Sequence, residues 1–316
     1  MIGKSTFPGA TISPISLGLG LMVISTLIAP GIDVFSKLAT DTTSPGMVTL
    51  ARFLVQGAFM LPFFLYNASW RRLSLENTLY HAVRAGVIVI AMICFVATLA
   101  VMQIADAIAI FFVEPIILTV LASIFLKEPI GWRRYTACAV GFMGAIIVIR
   151  PSFADVGYIA ILPVFTALGI AIFALITRVI SQREDPWSMQ FQMALWGVLF
   201  TTILLAVGNA ADIGFLLPSM PSGKTLIWLA GVGLTSSLSG IFAVYAFRAA
   251  PASVLAPMQY MEIISATALG WWVFGGFPDA TKWVGIFIII GSGLYIVWRE
   301  RRVSADIVSQ QETLKP

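Results

Sequence analysis

Residues 105–150 read ADAIAIFFVEPIILTVLASIFLKEPIGWRRYTACAVGFMGAIIVIR, and residues 253–298 repeat that pattern 148 positions later. Under this shift Glu114 falls on Glu262, Ile116 on Ile264, Thr119 on Thr267, Leu121 on Leu269, Arg134 on Lys282 and Tyr135 on Trp283. Each copy sets one glutamate in the middle of an apolar run that, at about twenty residues, is long enough to cross a bilayer. An ionised carboxylate at that depth costs several kcal/mol against lipid, so it faces a cavity or a partner. Two such residues at matching positions point to a shared task.

Composition sets the class. Of 316 residues, 59% are hydrophobic and only 11% charged, where a soluble domain carries about 25% charge. Ten apolar runs follow: 15–37, 45–66, 84–102, 105–126, 132–149, 156–177, 188–208, 225–247, 252–274 and 281–298. Turn and charge signals separate them, and the lipid bilayer is the expected surroundings. Cys94 and Cys138 sit inside apolar runs with no metal or disulfide spacing, and the only histidine, His81, falls in a loop. No metal or cofactor is expected.

Orientation follows from Lys and Arg. With the N-terminus inside, fourteen of these cations fall on cytoplasmic segments, and four (Lys37, Arg150, Lys224, Lys282) fall outside. Arg52 lies within a span. Both termini are therefore expected in the cytoplasm, in a multi-pass protein of a bacterial inner (plasma) membrane. The net charge of +4 reflects this bias, not nucleic-acid binding.

The repeat reaches the front of each half. A shift of 141 puts Val23 on Val164, Leu27 on Leu168, Lys37 on Arg178, Pro45 on Pro186 and Leu54 on Leu195. Five spans per copy is an odd number, so the copies must lie upside down relative to one another. The expected fold is an all-α polytopic membrane protein of ten helices in two inverted five-helix repeats. A tail of residues 1–14 precedes the first repeat (15–151); the second (152–300) is followed by a tail of 301–316. Inverted repeats with a site at their interface are a recurring transporter plan.

The layout resembles the EamA family of the drug/metabolite transporter superfamily. The resemblance rests on Ala105-Asp-Ala107 followed by Phe111-Phe-Val-Glu-Pro115 and Leu126-Lys-Glu-Pro129. The second copy adds Ala256-Pro-Met-Gln-Tyr-Met-Glu262 and Phe274-Gly-Gly-Phe-Pro278. It covers about residues 17 to 300. It implies a secondary carrier of small organic solutes, a central cavity lined by spans 1, 3, 4, 6, 8 and 9, and packing roles for spans 5 and 10. Gly276 stands where that family usually has a glutamate.

Glu114 and Glu262 are the leading candidates for substrate binding or proton coupling. Gln259 shares a helical face with Glu262, and Tyr260 is offered as a stacking or hydrogen-bonding group. Asp33 and Arg52 lie at similar depths in the first two spans and are expected to contact one another, since a buried charge seeks a partner. Ala29-Pro-Gly31 weakens the first span beside Asp33, while Pro115 and Pro257 disturb the fourth and ninth. Tyr245, Trp271 and the serines of Ser236-Ser-Leu-Ser239 are candidate cavity walls. Gly141, Gly144, Gly291 and Gly293 are read as a packing seam between spans 5 and 10.

The function expected is a secondary, ATP-independent transporter of a small organic metabolite, such as an amino acid or a nucleoside-like or vitamin-like solute. It would work by alternating access, with protons as a further partner. No phosphate-binding loop is present for ATP. A channel-like facilitator would instead need a polar stripe through the membrane. An intramembrane enzyme would need paired aspartates, a metal set or an activated nucleophile. The expected assembly is a monomer, or a homodimer through the peripheral helices.

Overall fold

The computed structural model describes residues 13–40, 42–67, 74–99, 110–128, 131–149, 161–219, 221, 223–274 and 280–313. Among these every regular element is a helix: α1 Pro14–Ile28, α2 Pro30–Thr40, α3 Pro45–Tyr66, α4 Leu75–Leu99, α5 Glu114–Phe125, α6 Trp132–Ile149, α7 Ile161–Ile180 and α8 Pro186–Ala210. Then follow α9 Gly223–Ala249, the short α10 Ala252–Leu255, a 3-10 segment Ala256–Met261, α11 Glu262–Phe274 and α12 Ala280–Thr313. Seven spans are long and apolar enough to cross a membrane, with Glu114–Phe125 as a shorter apolar helix. Asp106 and Gly276 lie outside the described residues.

Local chemistry sets several boundaries. Ser44-Pro45 and Asp185-Pro186 sit at equivalent places under the 141 shift. Each pairs an N-cap side chain with a proline whose missing N–H is no loss in the first turn. Ser44 Oγ accepts from Met47 N at 3.3 Å, and Asp185 Oδ2 from Ser188 N at 3.2 Å. The first span breaks at Ala29, as its Pro-Gly pair leads one to expect. The ninth run, expected as one helix, is composite: Pro257 lies near the start of a 3-10 segment that separates α10 from α11. Proline removes a backbone donor and crowds the preceding turn.

Two expected boundaries move. α4 begins at Leu75, so His81 is helical and buried instead of looped out. Its ring bridges two buried neighbours: His81 Nε2 lies 2.8 Å from Glu184 Oε2, and Arg84 Nη1 lies 3.2 Å from His81 Nδ1. Arg84, counted as a loop cation, also stacks its guanidinium 4.8 Å from the Phe173 ring centroid. α12 likewise runs on from Trp298 to Thr313.

The helices pack in pairs drawn from opposite halves: α1 along α9, α4 along α7, α3 along α8 and α6 along α12. Polar contacts knit both ends. At one end Thr42 Oγ1 meets Thr225 Oγ1, and Thr43 Oγ1 meets Ser219 Oγ, both at 2.6 Å. The glycine seam of α6 and α12 forms through Gly144 and Gly285, whose Cβ positions would meet Ile289 Cγ1 at 2.8 Å and Gly144 O at 2.7 Å. Gly291 faces open space, and Gly293 touches only Met258 and Met261. The small residues that matter are those where backbones meet.

Gly285→Val should therefore lower stability by about 1–3 kcal/mol, the usual cost of overpacking. A clear drop in the thermal midpoint of the detergent-purified protein is the expected result, with Gly291→Val close to wild type.

Candidate functional site

Both intramembrane glutamates open a helix. Glu114 is the first residue of α5, after a turn at Phe112–Val113, and Glu262 is the first residue of α11, after the 3-10 segment. Around both starts the backbone N–H groups are bonded to carbonyls just before them, as Ile116 N and Ile117 N are to Val113 O and Glu262 N is to Gln259 O. Irregular backbone at membrane depth is tolerated where protein or a cavity surrounds it.

These two residues meet Asp33 and Arg52 at the centre of the bundle. Glu114 is 3% exposed, accepts a side-chain hydrogen bond from Gln259 and lies within electrostatic reach of Glu262. Its Oε1 has no hydrogen-bond partner among the described residues, and neither does Gln259 Oε1. Glu262, partly exposed, is in turn close enough to feel the charge of Asp33. Asp33 is exposed, yet it interacts with Arg52 of α3 and Glu262 of α11. Asp33 is thus accessible while it stands between two packed helices, α3 and α11. The Asp33–Arg52 contact expected from sequence takes the form of attraction across space. Arg52 Nε donates instead to Ser236 Oγ at 2.7 Å.

Tyr260 does not join this group. It is fully buried, donates its hydroxyl to Phe112 O at 3.2 Å and fills the hollow over Gly141, where a Cβ would meet its ring at 2.5 Å. Its role is packing between the two broken runs and α6. Tyr245 is partly buried on α9. Trp271 is 48% exposed, nine residues beyond Glu262 and so about 13 Å further along α11 at 1.5 Å per residue.

The structure adds polar ties that single residues in apolar runs did not reveal. Ser25 Oγ donates to Ser239 O at 2.9 Å, and Ser239 Oγ donates to Ser25 O at 3.1 Å, a reciprocal clasp between α1 and α9. Ser265 Oγ donates to Thr26 O at 3.2 Å, joining α11 to α1 near its break. One turn along α3 from Arg52, Gln56 Nε2 donates to Gln190 O at 3.1 Å and Oε1 at 3.2 Å. An uncharged glutamine in an apolar run gives little sequence signal; its spacing of four from Arg52 was the available clue.

The end of the bundle beyond α5 is tied together by Glu128. The chain leaves α5 through Lys127 at φ 52°, a left-handed residue just past the helix C-cap, and the Glu128 N–H returns to Ala122 O at 3.3 Å. This throws the Glu128 side chain across to the start of α10. There Oε1 accepts from Ala252 N at 3.0 Å, and Oε2 accepts from Ser253 N at 3.0 Å and Ser253 Oγ at 2.7 Å. Arg178 Nε stands 3.7 Å from Glu128 Oε1, while its Nη1 donates to Phe247 O. Gln182 Nε2 donates to Arg248 O at 3.0 Å. One carboxylate thus ties α5, α7 and the α9–α10 turn together.

A helical bundle with broken spans, meeting charges at its centre and one tied end has the form of a membrane transporter, and its relatives agree. Residues 16–150 match the model of the EamA-like transporter family. The chain is 30% identical over 222 residues to a riboflavin transporter of Rhizobium johnstonii, covering 70% of this chain and 71% of that protein. It is 26% identical over 285 residues to an S-adenosylmethionine uptake transporter of Rickettsia felis, covering 90% and 94%. A solved crystal structure superposes with a TM-score of 0.73 at 13% identity, covering 90% of this chain and 98% of that one. The chain belongs to the EamA-like transporter family, in the drug/metabolite transporter superfamily.

Glu128→Ala strips three donors of their acceptor, at about 1–3 kcal/mol for buried groups left unpaired. With Cys94 and Cys138 replaced by alanine, a cysteine at Ala250, 0% exposed, should react slowly with maleimide. It should react several-fold faster when Glu128→Ala is added.

Proposed function

We propose that this protein is a secondary carrier that moves a small organic metabolite by alternating access around a site between two inverted five-helix repeats. The observation that carries the reading is the meeting of Glu114 and Glu262, each opening a helix after a break in its run. The packing pairs support the inverted arrangement. Exchanging the halves turns the α1–α9 contact into the α7–α4 contact and leaves α3–α8 and α6–α12 as they are.

The excess of Lys and Arg at the Glu128 end makes that end cytoplasmic. The site is then closed toward the cytoplasm, and transport requires the Glu128 ties to break. The named cargoes of the relatives, S-adenosylmethionine and riboflavin, suggest a metabolite of that size. Glu114, buried and holding one unpaired oxygen, is the group best placed to carry a proton between the two states.

Counterflow into proteoliposomes tests the carrier reading. Labelled S-adenosylmethionine or riboflavin should accumulate transiently against unlabelled solute inside, and Glu262→Gln should slow this at least about tenfold. Absence of counterflow with every metabolite tried, or gradient collapse without saturation, would count against a carrier. Proton coupling makes a separate prediction: an imposed pH gradient should drive uptake in wild type, whereas Glu114→Gln keeps counterflow and loses the gradient response.

A further inference from the structure

We infer that the central site is bipolar, and that the cargo is a zwitterion whose carboxylate docks on Arg52 while its cationic group docks between Asp33 and Glu262. The inference rests on the carrier reading above and adds the cargo's charge pattern.

Arg52 is built to receive an anion. Its Nε is spent on Ser236 Oγ at 2.7 Å, which fixes the plane of the guanidinium. Nη1 and Nη2 form no hydrogen bond with any described residue, and neither belongs to the buried unsatisfied groups, so they face accessible space. Two parallel N–H donors on a rigid planar group match the two oxygens of a carboxylate, a pairing that lysine does not reproduce. Asp33 attracts this guanidinium without closing on it, which leaves a gap.

The opposite pole is acidic. Asp33 is exposed, Glu262 is partly exposed and Glu114 Oε1 is buried without a partner. Asp33 offsets Arg52, and the Glu262 and Glu114 carboxyls beside it supply further oxygen acceptors for a cationic cargo group. At 1.5 Å per residue, Asp33 and Arg52 each lie about 10 Å from the helix ends at Thr40 and Pro45. The two poles thus sit at a common depth, on the side of the bundle away from the Glu128 ties. A group bearing an ammonium and a carboxylate a few bonds apart, such as an α-amino acid moiety, satisfies both poles at once. A neutral ring system satisfies neither.

Binding to the purified full-length protein tests this. The probes are S-adenosylmethionine, its decarboxylated analogue (which keeps both cationic groups), a panel of α-amino acids with their methyl esters, and riboflavin. In wild type at least one zwitterion should bind at least about tenfold more tightly than its ester or decarboxylated form, a comparison that needs no variant. Arg52→Gln should bring that zwitterion down to the level of its partner and leave the partner's own affinity unchanged. Ser236→Ala, a milder change, should weaken the zwitterion alone. Asp33→Asn should weaken both. Equal binding of the paired forms in wild type, or discrimination that survives Arg52→Gln, overturns the inference. If riboflavin binds and no zwitterion does, the bipolar site falls while the carrier stands; if nothing binds, both fall.

Discussion

A carboxyl group inside a bilayer needs protein around it, and the architecture here answers that need at Glu114. Lipid offers it no hydrogen bond and no counter-charge. The fourth run breaks just before it, so that it stands at the first position of α5, and Gln259 reaches over from the ninth run to bind it. That contact joins the two broken runs. Around it, the buried Tyr260 fills the space over Gly141, and Ser265 ties α11 to the break in the first span. Loss of the break would push the glutamate into the apolar packing of its own helix.

The two ends of the bundle differ in kind. The end carrying Glu128 is held by a carboxylate that accepts from two backbone N–H groups, with Arg178 and Gln182 binding carbonyls at the end of α9. Under the 148 shift Glu128 falls on Gly276, and under the 141 shift Arg178 falls on Lys37. The second copy therefore has no carboxylate at the equivalent position, and hydroxyl pairs, Thr42 with Thr225 and Thr43 with Ser219, join elements at the other end. Charge-assisted hydrogen bonds are about twice as strong as neutral ones, so the Glu128 ties are strong ones for their number.

Sequence reasoning could single out the charged residues that the structure brings near one another, because charge within an apolar run is a loud signal. Glu114, Glu262, Asp33 and Arg52 stand out against their neighbours, and Gln259 follows from helical spacing. Tyr260 packs over Gly141 and bonds Phe112 O, and Trp271 lies well along α11, placements that sequence spacing did not indicate. In spans that are apolar on every face, periodicity does not separate the side facing lipid from the side facing protein. The same blindness hid Gln56 with Gln190, and the buried trio His81, Arg84 and Glu184. Those three look like loop charges until α4 is seen to extend beyond the membrane and pack against the α7–α8 turn.

What the sequence determined by itself is the class of molecule and the pattern of breaks: the apolar runs, the repeated glutamates, and the Pro and Gly positions where helices stop. These follow from local rules, namely the cost of polar groups in lipid and the missing donor of proline. Tertiary structure alone decided which side chains share a space. Glu114 and Gln259 are 145 positions apart, and Arg52 and Ser236 are 184 apart. Such pairs depend on how ten runs rotate about their axes as they pack, a rotation set by where glycines let backbones approach and where serines clasp, as Ser25 does with Ser239.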